Sequence, residues 1–184
     1  MNSQGDTTMK KTVLAITALV LSLSWLQVRA DEIRDPYKFF FAQTLGDYQD
    51  ELQTAKEEGK KGVFIFFEMD ECPFCHYMKT NVLNRKSVQD RFHKDFVAFS
   101  IDIEGDVMMT TFDGKEMKQK DYAFKVNHVR ATPVLAFFDL NGNRIFRYTG
   151  KTRGVDEFMQ MTDYVAGDYY KKESFNTYKR EHRK

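Results

Sequence analysis

The chain of 184 residues holds two cysteines, and both fall in one motif, Cys72-Pro73-Phe74-Cys75. A structural disulfide gains by closing a long loop, so a pair two residues apart constrains almost nothing. The spacing suits reversible thiol–disulfide exchange instead. Pro73 fits the first position of a helix, where its missing N–H costs nothing, and this places Cys72 at the N-cap. There the unpaired backbone N–H groups and the positive dipole end favour a thiolate, the attacking species in exchange. Cys75 lies one turn further in, better shielded and close enough to resolve a mixed disulfide. Cys72 reads as the nucleophile and Cys75 as the resolving thiol.

The same stretch, Cys72 to His76, also fits C-x-x-C-H, the signature of covalent c-type haem attachment with His76 as axial ligand. Against it, five apolar residues, Val63 to Phe67, lead straight into the motif and read as a buried central strand. That is a sheet protein's arrangement, and it makes His76 an exposed helix residue. A metal site has weaker support: two cysteines and one adjacent histidine are a poor tetrahedral set, and no second C-x-x-C exists. No cofactor or metal is expected.

A second feature, Ala131-Thr132-Pro133, opens another apolar run, Val134 to Phe138. Proline is tolerated at the start of a strand. A cis Thr132–Pro133 bond would turn the backbone sharply and leave Thr132 with free polar groups, on which a substrate segment can pair by strand addition. Glu68 is the acid nearest in sequence at the end of the first strand. It is a candidate proton relay for Cys75, with a solvated or dipole-partner role as the alternative.

The elements that must hold these residues follow from periodicity. Asp31 to Thr44 is a lead-in whose Phe39-Phe40-Phe41 cluster packs onto the domain. Leu45, Tyr48, Leu52 and Ala55 fall at helical spacing, with Gly59 as a stop. Cys72 to about Asn84 is helical, with Met78 and Val82 on one face. Ser87 caps a short helix through Lys94, and Phe96 to Ile103 is a strand. In the segment 104–117, Met108 to Phe112, Asp113-Gly114 and Lys115 suggest a hairpin with a tight two-residue turn. Gln119 to Val126 reads as a helix. Asn141-Gly142 marks a second hairpin between Pro133–Asp139 and Arg144–Tyr148. Gly154 to about Lys172 closes the chain, with Phe158, Met161, Tyr164 and Val165 as its apolar stripe.

Composition agrees with one globular domain: 42% apolar, 30% charged, 17 phenylalanines and a net charge of +1, which gives no reason to expect nucleic-acid binding. Residues 1–30 stand apart. Lys10 and Lys11, the uncharged run Thr12–Leu26 and Val28-Arg29-Ala30 have the order of a signal peptide cleaved after Ala30, with Met1 or Met9 as the start. An uncleaved anchor is the alternative. Removing this segment takes away Lys10, Lys11, Arg29 and Asp6, leaving 25 basic and 26 acidic residues. The expectation is a periplasmic, soluble monomer in a compartment where disulfides persist. The domain runs over 31–172. The tail 173–184 is basic: from Lys171 on there are six basic and two acidic residues. It reads as a solvated terminus, or as a docking surface for an acidic partner.

In order along the chain, the buried strand, the Cys72–Cys75 turn, Thr132-Pro133, the hairpin and Gly150 before the last helix resemble the thioredoxin-like superfamily, with some likeness to the periplasmic SoxW-type proteins of sulfur oxidation. The resemblance runs from Gly62 to about Val165. It implies an α/β fold with a central mixed sheet and helices on both faces. It also implies Cys72 as nucleophile, Cys75 as resolving thiol and Pro133 as a cis-proline beside them. Departures are Met69-Asp70-Glu71 before Cys72, Phe66 where a buried acid is usual, and the 104–117 insertion. Asp70 and Glu71, if near the sulfur, raise its pKa and weaken oxidising power. That favours a reductase of protein disulfides or sulfur-modified cysteines, kept reduced by a membrane electron donor of the thiol-transporting type. An oxidase or isomerase of the same fold is the alternative.

Overall fold

Strand β1, Gly62–Glu68, is buried at all seven positions, because its alternating side chains face two different cores. In the computed structural model, which describes residues 31–182, β1 is the second strand of a four-stranded sheet. The expected signal segment, its cleavage after Ala30 and the choice of start lie outside the described residues. Beside β1 runs β2, Phe96–Asp102, in parallel register with Phe64 against Ala98 and Glu68 against Asp102. On the other side β5, Val134–Phe138, is antiparallel, pairing Phe67 with Val134. Strand β6, Arg144–Thr149, completes the order β2-β1-β5-β6 and forms the outer edge. The sheet is mixed, as expected.

One face carries Phe64, Phe66, Leu135 and Phe137 under helices α3 (Pro73–Asn81), α4 (Lys86–Phe92) and α6 (Val155–Ala166). The other carries Val63, Ile65, Phe67, Ala136 and Phe138 against α2, Tyr48–Glu57. The period of two along each strand and the apolar stripe along each helix produce this double layer. Among the described residues no helix is long and apolar enough to cross a membrane.

The lead-in folds as a strap. After the short helix α1, Pro36–Phe39, Phe40 and Phe41 are buried while Phe39 stays half-exposed. The Phe40 ring meets those of Phe41, Phe64, Phe92, His93 and Phe158, and His93 Nε2 donates to its carbonyl at 2.9 Å. Ala42 N–H donates to Ala98 O of β2, and Arg34 N–H to Asn84 O.

Several local expectations need correction. Leu45 is fully exposed, and α2 begins at Tyr48 with Asp47 as N-cap, accepting from the N–H groups of Gln49 and Asp50. Ser87 lies inside α4, which starts at Lys86 without a side-chain cap. The first hairpin pairs β3, Met108–Thr110, with β4, Glu116–Lys118. Its turn, however, is centred on Phe112-Asp113: Gly114 N–H donates to Thr111 O, and Gly114 sits at φ 76°. The second hairpin repeats the arrangement, with Gly142 N–H on Asp139 O and φ 80°. In both, glycine takes the left-handed position after the turn, as in three-residue hairpin loops. The helix expected over Gln119–Val126 is one α-turn, α5 (Gln119–Asp121), followed by a π-helical stretch, Tyr122–Val126.

The closing helix also ends early. α6 stops at Ala166, and a 3₁₀ turn, Tyr169–Lys171, follows. The terminus beyond it is docked on one face and exposed on the other. Ser174 caps a further helix, α7 (Phe175–Glu181), whose Phe175 and Tyr178 are 7% and 5% exposed and join the core beside Tyr164. Lys179 of α7 pairs with the buried Glu157 of α6, which also accepts Arg153 N–H at 2.7 Å. On edge strand β6, Arg144 and Arg147 donate to the carbonyl of Asn127 at 3.0 and 2.9 Å.

Candidate active site

Strand β1 ends at Glu68, and the chain crosses Met69, Asp70 and Glu71 before entering α3. Asp70 and Glu71 are exposed; Cys72 N–H donates to Asp70 O at 3.0 Å. Cys72 has extended backbone angles and is the N-cap, with Pro73 in the first helical turn. Its Sγ accepts the N–H of Cys75 at 3.0 Å, the place a capping oxygen usually takes. The two sulfurs are joined in a disulfide, with Cα atoms 5.2 Å apart. Cys72 is 7% and Cys75 1% exposed. Cys72 is the more exposed of the two, as expected, though both residues are buried in the disulfide form. Phe74 between them is half-exposed, and His76 is exposed, as read.

The Thr132–Pro133 bond is cis. Since Val134 pairs with Phe67, Thr132 and Pro133 flank the end of β1 that feeds the cysteine turn. Pro133 is buried and Thr132 half-buried. The Pro133 carbonyl accepts Gly150 N–H at 2.8 Å, which brings the loop 150–154 to the site. Within that loop Thr152, fully buried, donates its N–H to Met78 Sδ of α3 at 3.4 Å. The Lys151 ammonium lies 4.3 Å from the Tyr77 ring centroid and 6.0 Å from that of Phe74.

Glu68 is buried, 7% exposed. It accepts from Tyr37 Oη at 2.9 Å and from Ser100 Oγ, and pairs with Lys79 at 2.5 Å. Lys79 in turn donates to Tyr37 Oη at 2.6 Å. Burial pushes the Lys79 pKa down, but the hydrogen bonds to Glu68 and Tyr37 outweigh it and hold the ammonium above its ordinary value. Burial raises the Tyr37 hydroxyl. Glu68 is thus an ion-pair partner bridging the strap, β2 and α3. Tyr37, Lys79, Lys151 and Thr152 were missed from sequence. Lys79 alone carried a readable signal, one helical turn after Cys75.

Among the described residues no three His, Cys, Asp or Glu side chains cluster to hold a metal. Both sulfurs that haem attachment would use are joined to each other.

A helix N-terminus bearing a two-cysteine disulfide, set beside a cis-proline on a mixed sheet, defines the thioredoxin-like class. The family model of the thioredoxin-like domain matches residues 48–166, and the chain belongs to that family. Among solved structures, a thioredoxin-fold protein from Helicobacter pylori is similar at 17% identity, covering 67% of this chain and 84% of that one, with TM-score 0.57. A putative disulphide-isomerase from Bacteroides thetaiotaomicron is 22% identical over 74% of this chain and 95% of that one, with TM-score 0.53. A DsbH oxidoreductase is 18% identical over 69% and 87%, with TM-score 0.50. At these identities the likeness concerns the fold. No curated protein matches significantly.

Proposed function

We propose that the chain is an exported thiol–disulfide oxidoreductase acting as a reductase of protein disulfides or sulfur-modified cysteines. The observation that carries this is Cys72 Sγ at the cap of α3, accepting the Cys75 N–H while joined to Cys75. In the reduced form the same N–H stabilises a Cys72 thiolate. That thiolate attacks one sulfur of a partner disulfide. The Cys72–partner bond forms, the partner's S–S bond breaks, and its leaving thiolate takes up a proton. Cys75, deprotonated, then attacks Cys72 Sγ, closes the internal disulfide and releases the second partner thiol. Two electrons pass from the protein to the partner, and a dithiol donor at the membrane restores the reduced state. The reductase direction is supported by Asp70 and Glu71, two carboxylates immediately before the nucleophile, which disfavour its thiolate. Thr132, Pro133 and Glu68 are assigned to substrate pairing, to the site wall and to proton relay. Export is supported by the charged, apolar, small-residue order of residues 10–30.

Cysteine trapping tests the reading. Cys75→Ser should leave attack intact and block resolution, so a mixed disulfide with a partner accumulates on a non-reducing gel. Cys72→Ser should trap nothing. Trapping by Cys72→Ser alone reverses the assignment, and covalent haem on the wild type removes it.

A further inference from the structure

Away from the cysteine motif, a groove of about 590 Å³ lies between the start of α6 and the docked helix α7. Three of its lining residues are cations: Arg153, Lys179 and Arg180. Two are acids, Asp156 and Glu157. Glu157 is satisfied from within, by Lys179 at 2.5 Å and Arg153 N–H at 2.7 Å. Burial raises its pKa, but the Lys179 hydrogen bond outweighs this and holds the carboxyl below its ordinary 4.5. With that pair neutralised, the lining keeps two exposed arginines, Arg153 and Arg180, against one exposed acid, Asp156, a surplus of positive charge.

At its Arg153 end the groove borders the helix that carries the cysteines. Tyr77 Oη of α3 donates to the Arg153 carbonyl at 3.3 Å. Lys151, two residues before Arg153, sits over the Tyr77 ring and 6.0 Å from the Phe74 ring. A path therefore leads from half-exposed Phe74, between the two cysteines, past Lys151 to Arg153 and on to Arg180. Its cations are Lys151, Arg153 and Arg180, with Phe74 and Tyr77 as aromatic surface at the cysteine end. The chain from Asp31 on carries 25 basic and 26 acidic residues, so this face is a local concentration and not the general character of the surface.

We infer that this groove docks an acidic, extended segment of the disulfide-bearing partner and so presents the partner's disulfide to Cys72. Phe74 and Tyr77 offer apolar contact next to the reacting sulfur, and Lys151, Arg153 and Arg180 take successive carboxylates. The inference rests on the exchange reading above. Part of the surface is built by α7, so the C-terminal segment is a specificity element for the site.

The test uses the full-length protein from Asp31, reduced with dithiothreitol and freed of it. Single-turnover rates are measured against two disulfide peptides of equal length, one flanked by glutamates and one by lysines. A small neutral disulfide, 2,2′-dithiodipyridine, is measured alongside. Electrostatic attraction should make the acidic peptide react about tenfold faster at low salt. The advantage should vanish near 1 M salt, where the screening length is about 3 Å. Arg153→Glu with Arg180→Glu should invert the preference, and because this is a ratio within one protein, altered stability does not mimic it. If that variant does not fold, the wild-type salt series decides alone. Equal rates for the two peptides in the wild type, or a preference unmoved by charge reversal, would overturn the groove. Failure to react with 2,2′-dithiodipyridine would overturn the exchange reading instead.

Discussion

Among the described residues two segments lie outside the stretch matched by the family, 31–47 and 167–182, and they are attached to the domain in the same way but at different places. The strap before Tyr48 inserts Phe40 and Phe41 into the core and places Tyr37 on buried Glu68. The segment after Ala166 inserts Phe175 and Tyr178 and places Lys179 on buried Glu157. Each uses a pair of aromatics for adhesion and one polar clamp on a glutamate that is 7% exposed. The difference is in depth and address. Phe40 is 1% exposed and lies at the centre of an aromatic cluster, and its clamp braces the strand that delivers the cysteines. Phe175, 7% exposed, lies at the core's margin against Phe146, Tyr148 and Tyr164, and its clamp sits on the first turn of α6. The strap is structural to the site, whereas α7 is an added wall.

The largest contrast should appear on truncating the two aromatics. Phe40→Ala opens a fully enclosed void and should cost about 3–5 kcal/mol, in the range for buried phenylalanine. Phe175→Ala, at the margin where neighbours relax, should cost nearer 2 kcal/mol. Urea unfolding followed by circular dichroism measures both. Equal losses would erase the distinction between core strap and outer wall.

A smaller effect separates the clamps. Tyr37→Phe keeps the ring and removes one hydroxyl shared by Glu68 and Lys79, with an expected loss of about 1 kcal/mol. Because Glu68 and Lys79 bracket the cysteine motif, the same change should also shift the pH profile of Cys72–Cys75 reduction. A change in stability with an unmoved profile would confine the network to architecture.

The smallest effect concerns acid. The Glu157 pKa is depressed in the folded state, so its pairing with Lys179 stabilises the fold above pH 4.5 and this contribution fades as pH falls through the lower folded value. Amide exchange in Phe175–Glu181 should therefore quicken below about pH 4 before exchange in β1 does. Simultaneous loosening of both would show that α7 is integral to the cooperative unit.

What the sequence disclosed was local. Cys72 as cap, Pro73 in the first turn, the enclosed strand and Thr132-Pro133 are each written in a few adjacent residues, and the structure places them as read. The network around Glu68 was not legible, because Tyr37 and Ser100 stand 31 and 32 residues away from it; sheet register brings in Ser100, and the packing of the strap brings in Tyr37. The tail was misread for another reason. Its charge dominates composition, yet Phe175 and Tyr178 are three apart and fall on one helical face. That face packs on Tyr164, and the Lys179 ammonium lies 4.8 Å from the Phe175 ring centroid. The turns were found and mis-centred, since Asp-Gly and Asn-Gly suit both a two-residue turn and the bulged loop used here.

The sheet's two borders carry a consequence for solubility. The β2 border is partly occupied by the strap, through Ala42 on Ala98, while among the described residues β6 has no strand beyond it. An open strand edge is a template on which a second molecule can add and begin aggregation. Here that border is occupied by Arg144 and Arg147, tethered to the Asn127 carbonyl. Two like charges meeting their counterparts on a second copy repel edge to edge, which disfavours growth of the sheet from one copy onto the next.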